Sequence, residues 1–155
     1  MFTKSEIINI AIAIEESGFE FYKEAENIVP KDLKEVFHFL SKEELKHKET
    51  FEEILRGLKG SREIRINDED YEDYVKAIGQ IAVFKKNKLQ EKIRTLDTPE
   101  KIIIFAIEME TTSINYYNFL LEVETEKNRS LLNQILAEER KHLATLTNIL
   151  DKLKK

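Results

Sequence analysis

Apolar residues recur at alternating intervals of three and four along four long segments of the chain, which places them on one face of an α-helix. Thr3 and Glu6 form a capping-box pattern that opens the first helix, and Pro30 ends it. A second segment follows at once, and Gly57 and Gly60 mark its end. The inward-facing stripes of these two predicted helices are Ile8, Ala11, Glu15, Gly18, Tyr22, Ala25 and Val29, and then Leu33, Phe37, Leu40, Glu44, His47, Phe51, Ile54 and Leu58.

Two further helical segments occupy the last third of the chain. Thr98 is a favourable N-cap with Pro99 at the first helical position, so a third helix is predicted to begin there. The polar stretch Glu122–Asn128 is the predicted turn into a fourth helix. Their inward-facing stripes are Ile103, Ala106, Glu110, Ser113, Tyr117 and Leu120, and then Leu131, Ile135, Glu139, His142, Leu146, Ile149 and Leu153.

Residues 60–97 connect the two pairs of segments. Ser61–Asp70 is polar and turn-like, and the residues after it predict an extra helix that contains Gly79 as a weak point. Short links make antiparallel neighbours, whereas one long link lets the third helix start at the other end of the bundle. We therefore predict an all-α, antiparallel four-helix bundle with one long crossover, in a single domain of residues 1–155. The apolar residues of the extra helix are Tyr71, Tyr74, Val75, Ile78, Ile81 and Leu89.

Composition excludes several classes of protein. The chain has 155 residues, no cysteine and a net charge of −5. The lack of cysteine excludes disulfides, thiolate-bound zinc and iron–sulfur centres, and it fits a cytoplasmic location. The negative charge argues against a nucleic-acid partner. A signal peptide is not expected, and no apolar run approaches the ~20 residues that a membrane helix requires.

The chain contains an internal repeat with an offset of 95 residues, the distance from His47 to His142. A fixed offset across two separate helices indicates two copies of a helical hairpin, about 3–59 and 98–154, related by an approximate two-fold axis. A further Glu-x-x-His that ends at His38 has no counterpart and lies off the stripe, so His38 is expected to be an ordinary, partly exposed residue. The repeated pairs include Glu15 and Glu110, Tyr22 and Tyr117, Glu44 and Glu139, and His47 and His142.

Four glutamates and two histidines fall in phase with the predicted core, and the four stripes contain no Lys or Arg. An uncompensated buried carboxylate costs several kcal/mol, against ~5–15 kcal/mol for the stability of a whole domain. Shared protons relieve part of this cost, whereas two divalent cations balance all four negative charges. Oxygen and imidazole ligands without sulfur suit iron or manganese, with zinc as an alternative. The predicted ligands are Glu15, Glu44, His47, Glu110, Glu139 and His142.

The symmetry of the repeat divides these ligands between two metals. Glu43 and Glu138 lie about 100° round their helices from the bridging glutamates, so they are expected to face solvent, with a role beside the ligands as the alternative. Tyr22 and Tyr117 lie about 10 Å along their helices from the terminal glutamates; they are either core aromatics or hydrogen-bond donors to a ligand carboxylate. The expected sets are Glu15 with His47, Glu110 with His142, and Glu44 and Glu139 as bridges.

This combined pattern resembles the ferritin-like di-iron carboxylate proteins, nearest to the rubrerythrin group, and it covers all four predicted helices. The resemblance implies that the six ligands bind two irons, which react with hydrogen peroxide or dioxygen while Fe(II) is oxidised. Typical rubrerythrins carry a further metal-binding glutamate where this chain has Ser113, so the ligand set is closer to the ferroxidase centre of bacterioferritin. Rubrerythrins often carry a four-cysteine rubredoxin-type domain; this cysteine-free chain is instead expected to take electrons from a separate protein.

Three functions are consistent with this site. The first is a non-haem di-iron oxidoreductase of the peroxidase or ferroxidase type that reduces hydrogen peroxide or dioxygen. The second is an iron-handling ferroxidase that feeds a mineral core inside a cage, and the third is a metal-binding bundle without turnover. The long connection with its own helix favours a homodimer over a cage.

Overall fold

The fold is known from a computed structural model that describes residues 2–58, 65–66 and 69–155, without the side chains of 65, 66, 70 and 83–86. These ranges are almost entirely helical, which confirms the all-α prediction. Gly60 and most of the predicted polar stretch 61–70 lie outside the described residues. The elements are β1 (Phe2–Thr3), α1 (Lys4–Ala25), a 3-10 turn (Lys31–Leu33), α2 (Lys34–Gly57), β2 (Arg65–Ile66), α3 (Glu69–Thr95), α4 (Pro99–Val123) and α5 (Glu126–Leu153).

Local hydrogen bonds set the predicted helix starts. The Thr3 hydroxyl accepts from the Glu6 N–H at 3.2 Å, and the Thr3 N–H donates to the Glu6 carboxylate at 2.6 Å. At α4 the Thr98 hydroxyl accepts from the Lys101 N–H at 3.2 Å, and Pro99 is the first helical residue. Both predicted N-termini are therefore confirmed. The strands β1 and β2 form one short antiparallel pair just before α1 and before α3.

Two helical hairpins form the bundle, with α1 packed along α2 and α4 along α5. Contacts of α1 with α4 and of α2 with α5 join the hairpins. Their buried side chains form two apolar clusters, one of which contains Phe21 and Phe37 and the other Phe51 and Leu136. The predicted ligands fall between these clusters along every helix, so a polar layer divides the core.

The connection is mostly the helix α3, which packs against α1. Val75 and Leu89 are buried as predicted, but Ile81 is 42% exposed and Ala82 is buried in its place. The step of four from Ile78 to Ala82 follows the face that α1 covers, and Ile81 lies beside it. Gly79 has a packing role, because a Cβ there would lie 3.3 Å from the Ile10 side chain.

The link between α4 and α5 is shorter than the predicted turn Glu122–Asn128, because only two residues separate the helices. Glu124 in this link is buried; its carboxylate lies 3.3 Å from the Lys4 ammonium and accepts from the Asn128 amide at 3.0 Å. The prediction that Leu131 faces the core is wrong, since Leu131 is 37% exposed whereas Leu132 is fully buried. Within the described residues, no helix has the length and apolar character that a membrane span requires.

Candidate metal centre

All six predicted ligands lie together in the polar layer, and none is more than 3% exposed. The helices α1 and α4 each bring one glutamate to this layer, and α2 and α5 each bring a Glu-x-x-His pair, whose three-residue spacing points both side chains the same way. The six residues are Glu15, Glu44, His47, Glu110, Glu139 and His142.

The side chains form two overlapping groups whose ligand atoms all lie within 4.8 Å of one another. Glu44 and Glu139 belong to both groups, so they occupy the shared position expected of bridging residues. Glu139 spans the two histidines, with Oε1 at 3.1 Å from His47 Nδ1 and Oε2 at 3.3 Å from His142 Nδ1. The first group adds Glu15 and His47, and the second adds Glu110 and His142.

Two tyrosines hold the terminal glutamates across the bundle. The Tyr22 hydroxyl of α1 donates to Glu110 Oε1 of α4 at 2.6 Å, and the Tyr117 hydroxyl of α4 donates to Glu15 Oε1 of α1 at 2.5 Å. Both tyrosines are fully buried. The structure thus shows the hydrogen-bonding alternative predicted for this pair, and each bond joins opposite halves of the repeat.

The second oxygen of each terminal glutamate has no such partner. Oε2 of Glu15 and Oε2 of Glu110 are buried without a hydrogen bond among the described residues. A buried polar atom left in this way is unfavourable by about 1–3 kcal/mol or more. The two unpartnered atoms occupy equivalent places in the two halves, so each half presents a carboxylate oxygen that a cation would satisfy.

Electrostatics at the histidines reflect the excess of carboxylates. Burial opposes protonation of His47, but hydrogen bonding to Glu139 and the neighbouring negative charges raise its pKa to about 9. Burial acts in the same way on His142, but the carboxylates of Glu110, Glu139 and Glu44, all within 3.7 Å of its Nδ1, raise its pKa to about 12. In the absence of a cation, both imidazoles are therefore in the positively charged, protonated form at neutral pH.

The glutamates respond to the same crowding. Burial and the charges of Glu44 and Glu139 raise the pKa of Glu15 well above its usual range, and burial with the same two charges does so for Glu110. Burial also acts against ionisation of Glu139, but the neighbouring Glu110, His142 and His47 hold its pKa well below the usual range. Protons thus offset the buried negative charge that a metal would otherwise balance.

Gly18 gives Glu44 the space that it occupies. A Cβ on residue 18 would lie 3.2 Å from Glu44 Oε2, which is closer than most real contacts of this kind. Ser113 occupies the repeat-related position. Its hydroxyl donates to the Met109 carbonyl at 3.0 Å. Ser113 therefore adds no fifth carboxylate to the four of the centre.

The expectation that Glu43 and Glu138 both face solvent is wrong. Glu138 Oε2 lies 2.8 Å from His47 Nε2, and its side chain is only 30% exposed. The Glu43 side chain is 12% exposed and accepts from the Lys46 ammonium at 3.1 Å. Both carboxylates lie near His47, because α5 crosses α2 at this level. The hydrogen bond from His47 holds the pKa of Glu138 below its usual range despite partial burial.

The third Glu-x-x-His lies apart from the centre, as predicted. His38 has a 58% exposed side chain, and its Nδ1 lies 3.3 Å from the Glu26 carboxylate. A groove of 750 Å³ lies on the nearby surface between α2 and α5, lined among others by Phe39, Glu138 and His142. The centre is therefore buried but borders solvent at His142.

The donor set fits two divalent cations. Four carboxylates and two imidazole Nδ1 atoms converge, sulfur is absent, and two oxygens lack any partner, which is the chemistry that iron and manganese prefer. Comparisons with curated proteins and with solved structures gave no match. A family model described as rubrerythrin matches residues 6–150, which contain all six predicted ligands and both tyrosines. This match confirms the resemblance read from the sequence, and the chain belongs to the rubrerythrin family.

Proposed function

We propose that this protein is a non-haem di-iron oxidoreductase that reduces hydrogen peroxide or dioxygen while Fe(II) is oxidised. One observation carries the proposal: Glu15 and Glu110, which lie beside His47 and His142, each bury an Oε2 that has no hydrogen-bond partner among the described residues. Membership of the rubrerythrin family, which usually binds iron, supports iron as the metal. Manganese and zinc are the alternatives, because both accept oxygen and imidazole ligands.

The residues of the centre have two roles: six would bind the metals, and two tyrosines hold the ligand carboxylates in place. Glu44 and Glu139 would bridge, and His47 and His142 would bind through Nδ1, the nitrogen that faces the glutamates. The cross-bundle hydrogen bonds from the tyrosines leave one oxygen of each terminal glutamate free and restrict its rotation. Two irons bound here would supply the two electrons that reduce one peroxide to water.

Restoring Fe(II) requires a reductant, and the cysteine-free chain has no thiolate-bound centre of its own. An external electron-donor protein is therefore part of the proposal. A homodimer is also part of the proposal, because the connection between the hairpins forms the long helix α3, which packs against α1 and makes a cage less favourable. The mass of the protein in solution, measured by light scattering, distinguishes a dimer from a cage.

A ferroxidase that handles iron is the second candidate. Ser113 is the observation that favours it, because its hydroxyl bonds the backbone and offers no extra carboxylate to the centre. Turnover separates the two functions. A peroxidase consumes many peroxides per chain when a reductant is supplied, whereas a ferroxidase deposits Fe(III) as Fe(II) is added.

The test is metal loading and oxidation of two variants, Glu44→Ala and His142→Ala. We expect wild-type protein loaded anaerobically to hold two Fe(II) per chain and to be oxidised rapidly by peroxide in stopped-flow absorbance. Both variants should lose at least one iron per chain and most of this oxidation, because each removes a ligand. His38→Ala is the matched control, since His38 belongs to an equivalent motif outside the centre. Unchanged iron content in both site variants would refute the proposal.

A further inference from the structure

We infer that Glu138 positions His47 for metal binding, and that this contact makes the two metal positions of the centre unequal. The inference rests on the proposed function, since it assumes that both positions bind metal. Glu138 is not one of the six ligands, and it contacts one of the two nitrogens of the His47 ring.

The two ring nitrogens of His47 face different surroundings. Nδ1 lies 3.1 Å from Glu139 and 3.6 Å from Glu15, so it points into the centre. Nε2, on the other side of the ring, lies 2.8 Å from Glu138 Oε2. An ionised carboxylate only accepts hydrogen bonds, so Nε2 carries the proton. Once the ring gives up its second proton, the Nδ1 lone pair is available to a metal, while Nε2 keeps its proton.

The second histidine lacks this support. Glu43 is the repeat-related counterpart of Glu138, but it bonds Lys46 and lies near His47. Within the described residues, His142 makes all of its ring-nitrogen contacts through Nδ1. The rest of its ring borders the groove between α2 and α5, with the Phe39 ring edge-on at 6.3 Å. An approximately symmetric site thus has one histidine backed by a carboxylate and one that borders an open groove.

This difference has a direct consequence for metal affinity. A carboxylate that accepts from the outer N–H of a ligating histidine fixes the ring and raises its basicity, and loss of such a partner typically costs 10–100-fold in affinity. The position at Glu15 and His47 should therefore bind metal more tightly than the position at Glu110 and His142. Metal at the second position should also exchange more readily, because the groove gives solvent a path to His142.

The first experiment is an anaerobic titration with Co(II), followed by visible absorbance, on wild-type, Glu138→Gln, Glu138→Ala and Glu43→Gln proteins. Wild type should bind in two resolved steps. Glu138→Ala should weaken the tighter step by about 10–100-fold, and Glu138→Gln should weaken it less, because an amide oxygen still accepts. Glu43→Gln should change the affinities less than Glu138→Ala does, because the hydrogen bond of Glu43 runs to Lys46, whereas Glu138 contacts His47 Nε2 directly. Circular dichroism establishes that each variant is folded, as expected for a residue at the rim of the groove.

The second readout is proton exchange at the histidines of the Co(II)-loaded protein. Co(II) shifts the N–H resonances of its ligating imidazoles far from the rest of the spectrum, so two such signals are expected. The His47 signal should exchange slowly with solvent and the His142 signal rapidly, and Glu138→Ala should make both rapid. A purely structural role of Glu138 would leave these rates unchanged.

The outcomes separate the inference from the proposed function. Failure of the wild type to bind two equivalents of Co(II) would overturn both. Two equivalents bound, with the same affinities and exchange rates in wild type and Glu138→Ala, would overturn the role of Glu138 and leave the metal centre intact.

Discussion

At the scale of single residues, the tyrosine–glutamate pairs decide how the terminal ligands are presented. The Tyr117 hydroxyl donates to Oε1 of Glu15 at 2.5 Å, and His47 Nδ1 lies 3.6 Å from the same oxygen. Leaving a buried polar group without its hydrogen-bond partner costs about 1–3 kcal/mol. The bond also selects which oxygen stays open, because Oε1 is occupied and Oε2 is not.

We therefore expect Tyr117→Phe to weaken metal binding as well as folding. The variant should lose about 1–3 kcal/mol of unfolding free energy and bind the metal held by Glu15 several-fold less tightly, because the carboxylate can rotate. Tyr116→Phe is the matched control, since Tyr116 is equally buried but donates to the Ile7 carbonyl at 2.8 Å. Urea unfolding and Co(II) titration measure the two effects. Equal metal affinities in the two variants would show that the Tyr117 hydroxyl only supports the fold.

At the scale of helices, close approach between α1 and α2 depends on a residue without a side chain. A Cβ at Gly18 would press on the Glu44 carboxylate, whereas no described residue lies within 4 Å of the same position at Gly57. Glycine within a helix is less favourable than alanine by roughly 0.5–1 kcal/mol. Gly18 therefore makes the helix α1 less stable but leaves space for the Glu44 carboxylate.

Gly18→Ala should stabilise the helix but displace Glu44, so we expect little net change in unfolding free energy and a loss of about tenfold in Co(II) affinity. Gly57→Ala should gain up to about 1 kcal/mol with unchanged metal affinity. Chemical denaturation and metal titration of the two variants provide the comparison. If Gly18→Ala bound Co(II) as wild type does, the space beside Gly18 would have no role in positioning the bridging glutamate.

The packing of the helices explains why the sequence predicted the ligands but not the orientation of Leu131 or the contact of Glu138 with His47. The ligands could be predicted because periodicity and the repeat each place them on inward faces. Leu131 was misplaced because Leu131 and Leu132 both fit spacings of three or four to Ile135, and only the packing of α5 chooses between them. The contact of Glu138 with His47 depends on how α5 crosses α2, and no pattern within one helix records that crossing.

At the scale of the whole molecule, protons and metals compete for one buried layer. The pKa values of Glu15 and Glu110 are raised well above 4.5, and those of His47 and His142 are raised from 6.5 to about 9 and about 12. A ligand must lose its proton to bind metal. Loading two cations near neutral pH should therefore release up to four protons per chain, and metal affinity should rise with pH.

The stability of the protein should consequently depend on pH with opposite sign with and without metal. In chelator, the folded state binds more protons than the unfolded chain, so unfolding free energy should fall as pH rises above about 4.5, and further between about 6.5 and 9 as His47 loses its proton. With saturating Zn(II), the folded histidines are unprotonated, so stability should instead rise up to about pH 6.5 and then level off. Urea unfolding from pH 5 to 8, with chelator or Zn(II), measures both slopes. Parallel slopes in the two series would mean that the metal does not displace protons from this layer.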